Sequence, residues 1–215
     1  MNKNVKRFLG DAVEYLIDNR VAVDLQRVKR VKLQGDLTSK GYFDLPKKMV
    51  MGTAWPLKKW LATFVHEYCH AQQYIEHSRL AWEYDNALGM DKYDDWLEKK
   101  ADMTKEELTE CTRAVQALEL DCERRVVRLI YKYNLPLDVD DYIRRANAYV
   151  LFYVYVAKHQ RWSEKISPDD SPEVVKTVPK YWMIGYNSMP PGYEEAVTKY
   201  CFNNKIRKAS TEVGG

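Results

Sequence analysis

The chain has 215 residues with 34 Lys and Arg against 31 Asp and Glu, a formal charge of +3, and its basic residues are interspersed with acidic ones. Nucleic-acid binding draws no support from that balance beyond a short basic tail, Lys205 to Lys208, read as a solvated end. Sixteen Tyr, six Trp and five Phe exclude a disordered chain, and the length suits one domain with an appendage.

Val5, Phe8, Leu9, Ala12, Val13, Leu16 and Ile17 recur at three-and-four spacing and predict an amphipathic helix ending near Asn19. From Val21 short alternations follow, Val21 to Leu25, Val28 to Leu33, Gly41 to Leu45 and Met49 to Met51, separated by Gly35-Asp36, Gly41, Pro46 and Gly52. They predict a small antiparallel sheet of about three strands. After Pro56 a long helix is expected from Leu57 to about Tyr84, then a break at Gly89 and a short piece around Tyr93 to Ala101. Thr104 with Glu107 is a capping box, and it opens a helix that ends at Asn134-Leu-Pro136. Asp140 or Asp141 is the expected cap of the next helix, whose buried face carries Tyr142, Ala146, Tyr149, Phe152, Tyr153 and Val156. From Ser163 the chain reads as an extended Pro- and Tyr-rich segment ending in a short helix at Glu194 to Phe202. The fold class expected is α+β, mainly α, with residues 1–160 as the main domain, a core within about 1–134, and residues 161–215 as an extension with a flexible tail at 205–215.

Cys69, Cys111, Cys122 and Cys201 form no CxxC pair and read as reduced, mostly buried thiols. Asp11 and Glu14 interrupt the apolar stretch that a leader would need, and the longest apolar run, Ala148 to Ala157, is about half of the ~20 residues that cross a bilayer. The expectation is a soluble cytoplasmic protein without membrane contact.

One motif carries chemistry. His66-Glu67-Tyr68-Cys69-His70 reads HExxH inside the best helical stretch of the chain. At about 100° per residue His70 lies about 40° and Glu67 about 100° from His66, so the two imidazoles share a face with the carboxylate beside them. Two imidazoles so placed can meet one zinc ion, and Glu67 can take a proton from water at the open position. The metzincin pattern needs Gly and His where this chain has Gln73 and Glu76. His77 shares the face of His66 but stands roughly 10 Å along the axis from His70, too far for the same ion. A carboxylate from a later helix remains. Glu119 is the most inward acid of Glu119-Leu-Asp-Cys-Glu123, with Asp121 and Glu123 on opposite flanks, and Glu123 could hold a ligating His through its second nitrogen. Glu98, in Glu98-Lys-Lys-Ala-Asp102, is the rival on a shorter, more polar helix.

With HExxH on one helix and Glu119-Leu-Asp-Cys-Glu123 on a later one, the sequence resembles the gluzincin metallopeptidases, with Cys122 and Glu123 in place of the usual small residue and Asp. The stretches His66 to Gln73, Glu119 to Arg125 and Ala146 to Tyr153 are also similar to small metallopeptidase-like proteins of bacteriophages, which would place the chain in the host cytoplasm. The resemblance implies a zincin-like core over residues 1–134, zinc held by His66, His70 and Glu119, and hydrolysis of peptide bonds in a protein or peptide substrate with Glu67 as general base. It further implies that an edge strand, expected at Met49 to Thr53, binds the substrate backbone. Tyr186, Tyr193 and His159 are candidates for the oxyanion donor by residue type alone. Two alternatives compete: a binding or regulatory protein that keeps the zinc fold without turnover, and a structural zinc. Structural sites are closed and Cys-rich, and Cys69 faces away from His70, which disfavours the second.

Overall fold

The computed structural model describes residues 1–32, 38–44 and 47–202. Leu33, Gly35-Asp36, Leu45, Pro46 and the tail, including Lys205 to Lys208 and Thr211 to Gly215, lie outside them.

Helix α1 (Lys3–Asp18) starts where the Asn2 side chain accepts the Asn4 amide at 2.8 Å, and it buries Val5, Phe8, Ala12 and Leu16, the stripe that its periodicity predicts. The strands that follow are β1 (Ala22–Gln26), β2 (Val31–Lys32), β3 (Thr38–Ser39), β4 (Gly41–Asp44) and β5 (Lys48–Gly52). They differ from the expected antiparallel sheet. β2 and β3 form a separate antiparallel pair, and the main sheet is mixed, in the order β1-β5-β4, with β1 parallel to β5 and β4 antiparallel to it. β5 is therefore the central strand and β4 an edge, so Met49 to Thr53 cannot be the edge strand. The physical reason is legible in burial: Met49, Val50 and Met51 are all buried, as in a strand covered on both faces and flanked on both sides.

The helix after Pro56 is two helices, α2 (Leu57–Ile75) and α3 (Arg79–Asp85). His77 takes a left-handed conformation at φ 50° and the Ser78 hydroxyl caps α3 by accepting the Ala81 amide, which ends one helix and starts the next without Gly or Pro. Gly89, at φ 83°, makes the expected break before a 3-10 turn and α4 (Tyr93–Leu97). The Thr104/Glu107 capping box is formed and opens α5, 29 residues from Lys105 to Tyr133, which ends in left-handed Asn134. α6 (Val139–His159) is capped by Asp138, whose carboxylate accepts the Asp141 amide at 2.9 Å; the cap is neither Asp140 nor Asp141 but lies two or three residues earlier. A 3-10 turn (Pro168–Asp170), α7 (Pro172–Val175) and α8 (Tyr193–Tyr200) complete the chain as described. All four cysteines are buried and unpaired. No described helix is long and apolar enough to cross a membrane.

Two apolar clusters meet along α5. One joins α1, the sheet, α2 and the C-terminal half of α5; the other joins α4, α6, α7 and α8, with Cys111 from the N-terminal half of α5. The HExxH residues stand where α2 crosses α5 and faces α6.

Candidate metal centre

α2 is anchored by Leu61, Phe64, Val65, Tyr68, Cys69 and Ala71 in the first cluster, which leaves the face of His66 and His70 turned toward α5 and α6. Two bonds fix the α2 to α5 register: the Cys122 thiol donates to the His66 carbonyl at 3.3 Å, and the Gln73 amide donates to the Leu118 carbonyl at 2.9 Å. Small Cys122 permits that approach, and it brings Glu119, three residues before it, and Glu123, the next residue, up to the histidines.

Three atoms converge. His66 Nε2 and His70 Nε2 are 3.2 Å apart, and Glu119 Oε2 lies 3.7 Å from the first and 3.4 Å from the second. Ligands about 2.0–2.1 Å from a tetrahedral zinc stand about 3.3 Å from one another, so the spacing is already that of a ligand set. The other ring nitrogens are occupied. His70 Nδ1 is 2.9 Å from Gln73 Oε1, whose amide nitrogen is committed to Leu118 and Asp121, so the ring donates from Nδ1 and leaves Nε2 as a lone pair. His66 Nδ1 faces Glu123 Oε1 at 3.3 Å, and the Tyr142 hydroxyl donates to the other oxygen of Glu123. With both rings so held, Glu119 Oε2 has no hydrogen-bond donor although it is buried, and the contact to His70 is a meeting of two acceptors. Burying an unpaired carboxylate oxygen is costly unless a cation answers it. The arrangement fits a divalent metal with nitrogen and oxygen ligands.

Electrostatics point the same way. Burial opposes charge on His66, but Glu123, Glu67 and Glu119 outweigh it and raise its pKa well above the ordinary value. Glu119 is pushed up by burial, yet His70 and His66 hold it below the usual carboxylate range. A field from three carboxylates that draws a proton to this point draws a metal cation more strongly. Cys122 also lies 3.7 Å from His66 Nδ1 and, with His66 and His70, offers a second set of ligand atoms within 4.8 Å of one another, but burial drives its pKa up and its hydrogen is engaged by the His66 carbonyl, so it stays a thiol. The imidazoles keep 19% and 13% side-chain exposure, so one side of the site is open.

Glu67 is 7% exposed. Burial raises its pKa, against the lowering effects of His66, His70 and the nearby Phe43 backbone amide on β4. Phe43 pairs with Met49 across β4 and β5, while the Lys40 carbonyl accepts from Gly52. Alternation along an antiparallel ladder then turns the Phe43 amide to the open edge, toward Glu67.

Of the residues singled out in the sequence, His66, Glu67, His70, Glu119 and Glu123 come together here. Glu98 does not: it caps α4, is exposed and pairs with Lys100. Asp121 takes bonds from Gln73 and Arg125 instead of facing the histidines, and His77 is exposed at the turn. The three oxyanion candidates lie elsewhere. Tyr186 donates to Asn147 and Tyr193 to the Ala148 carbonyl, both in the second apolar cluster, and His159 faces Glu194 at 2.8 Å. The tyrosines beside the histidines are ones that the sequence placed only on the buried face of α6. Tyr149 packs edge-on against His66 at 6.4 Å between ring centroids and shares a hydrogen bond with Tyr153, which donates to Glu119 Oε1 at 3.3 Å. Tyr142, Tyr149 and Tyr153, spaced by seven and four, share one face of α6; that spacing was the available signal. No protein-family model matches this chain, and comparison with curated proteins and with solved structures returned no match.

Proposed function

We propose that the protein is a zinc-dependent peptide hydrolase with a zincin-like core, in which His66, His70 and Glu119 hold the metal and Glu67 is the general base. The observation that carries this reading is the set of three acceptor atoms within 3.7 Å of one another, one of them a buried carboxylate oxygen without a donor. Zinc in that position supplies Lewis acidity, polarising a substrate carbonyl and acidifying water toward neutral pH.

The chain's own groups supply the rest. Glu67 is more basic than an ordinary carboxylate because it is buried, and the Phe43 amide fixes the oxygen that takes a proton from water and passes it to the leaving amine. Glu123 and Gln73 orient the two imidazoles from behind. Tyr153 orients Glu119, and in this reading Tyr149, whose ring packs beside His66, is the oxyanion donor. The four unpaired thiols favour a reducing compartment such as the cytoplasm.

Elemental analysis of the purified protein should find about one zinc per chain in the wild type and in Glu67→Gln, and none in His66→Ala. Peptide cleavage should fall at least 100-fold in Glu67→Gln. Equal metal content in wild type and His66→Ala would sink the metal site. Retained cleavage in Glu67→Gln would remove Glu67 from its role, and a zinc protein that cleaves no peptide would be the docking protein without turnover.

A further inference from the structure

On α2 the face that carries the histidines continues toward the N-terminus. Lys59 is seven residues before His66, which rotates it only about 20° and sets it about 10 Å away along the axis. Its ammonium does not reach into solvent. It bonds Asp170 at 3.0 Å, and Asp170 also takes Lys40 at 3.2 Å, while Lys40 bonds Asp169 at 2.9 Å. Lys40 is the residue before the edge strand β4, and Asp169 and Asp170 form the 3-10 turn that packs on α6, held there by Arg145 donating to the Asp169 carbonyl at 2.8 Å. Four charges thus tie β4 to α6 across the face of α2, and all four side chains are at most 32% exposed.

β4 gives the same distance independently. Phe43, whose amide meets Glu67, is three strand residues from Lys40, again about 10 Å. α2 has β4 against one side and the tyrosine face of α6 beside His66, and the ion-pair bridge joins those two sides about three extended residues from Glu67.

The geometry points to a dead-end groove: the bridge of Lys40, Lys59, Asp169 and Asp170 restricts the substrate to a peptide that ends within about three residues of the bond cut. This rests on the hydrolase reading above. The charges of the bridge satisfy one another, so it acts as a wall and not as a receptor for a terminal charge. A peptide laid along β4 in the antiparallel sense, pairing at Gly41 and leaving the Phe43 amide to Glu67, runs its C-terminal end toward Lys40. The fragments released are therefore one to three residues from the C-terminus.

The test uses the full-length zinc protein and one twelve-residue peptide in three forms: free at both ends, blocked only at the N-terminus, and extended at the C-terminus by ten residues. Mass spectrometry should show C-terminal di- and tripeptides from the first two at equal rates. The original bond in the extended form should be cut at least tenfold more slowly. Asp170→Asn, which removes the ties to Lys59 and Lys40, and Lys59→Met, which removes the tie to Asp170, both leave Lys40 paired with Asp169 and should restore cutting of that bond. Cutting of that bond at the wild-type rate of the short peptide, or release from the N-terminus alone, would overturn the wall. Binding to Glu67→Gln, followed by intrinsic fluorescence, separates this from failure of hydrolysis itself. A protein that cleaves nothing yet binds the short form at least tenfold tighter than the extended form keeps the wall and loses the enzyme; equal binding removes the wall.

Discussion

Two groups of polar side chains are buried where α5 meets its neighbours, and they are finished differently. In the second apolar cluster, Asn147 donates to the carbonyls of Pro179 and Tyr181 and accepts from Tyr186, while Gln116 donates to the carbonyls of Val150 and Tyr186. Those contacts stitch the C-terminal extension to α5 and α6. At the histidines the supporting atoms are equally well paired, but the three atoms at the centre are all acceptors, and Glu119 Oε2 is the one carboxylate oxygen among the buried unpaired atoms of the described residues. Burial of a polar group does not mark a site. A buried acceptor set whose own partners hold it away from any donor does.

The sharpest way to break this comparison is to add zinc. A ligand that binds only the folded state stabilises by about 4 kcal/mol at a free concentration 1,000 times Kd. Urea unfolding of wild type with zinc and with a chelator should differ by that order, and Glu119→Ala should abolish the difference. Asn147→Ala should cost about 2–4 kcal/mol, from the stranded Tyr186 hydroxyl and two part-buried carbonyls, and by the same amount with and without zinc. If Asn147→Ala were harmless, or if zinc did not move wild type, the two clusters would not differ as their bonding says.

Next in size are the groups behind the ligands. Glu123→Gln and Gln73→Leu should each weaken zinc binding about 10- to 100-fold in a competition titration, with Gln73→Leu also freeing His70 to turn. Unchanged affinity in both would mean that the rings are held by packing alone.

How much of this could be read from residues follows from what each signal spans. HExxH and the capping box of α5 act within one helix, so spacing alone placed them, and inward projection on α5 favoured Glu119 over Asp121. Choosing Glu119 over Glu98 needed the α2 to α5 crossing, which rests on Cys122 meeting the His66 carbonyl. The parallel pairing of β1 with β5 joins strands that are not neighbours in sequence, yet the unbroken Met49-Val50-Met51 run signalled a central strand and was passed over. The end of α2 gave no composition signal, because His77, not Gly, takes the left-handed turn. Tyr142, Tyr149 and Tyr153 were legible as part of the buried face of α6, but among sixteen tyrosines nothing in the spacing tied them to the histidines. The bridge from Lys40 to Asp169 spans 129 residues and left no mark in the sequence pattern.

That bridge offers the smallest effect and a third kind of finished cluster, in which charges answer charges. Burial pushes the Asp169 carboxyl up, but Lys40 and the hydroxyl of Ser167 outweigh it and hold it below the ordinary value. Lys40, Ser167, Asp170 and Arg145 are the groups around it, with Lys59 reached through Asp170. A carboxyl whose folded pKa lies below its unfolded one contributes stability that is complete above the unfolded value, about 3.9, and is lost as pH falls through the folded value. The stability gap between wild type and Asp169→Asn should hold steady from pH 7 to about 5 and shrink below about 4, measured by urea midpoints along that range. A gap that persisted unchanged to pH 2.5 would show that the carboxylate charge contributes nothing to the bridge, and that only the backbone of the turn, through the Asp169 carbonyl and Arg145, secures it to α6.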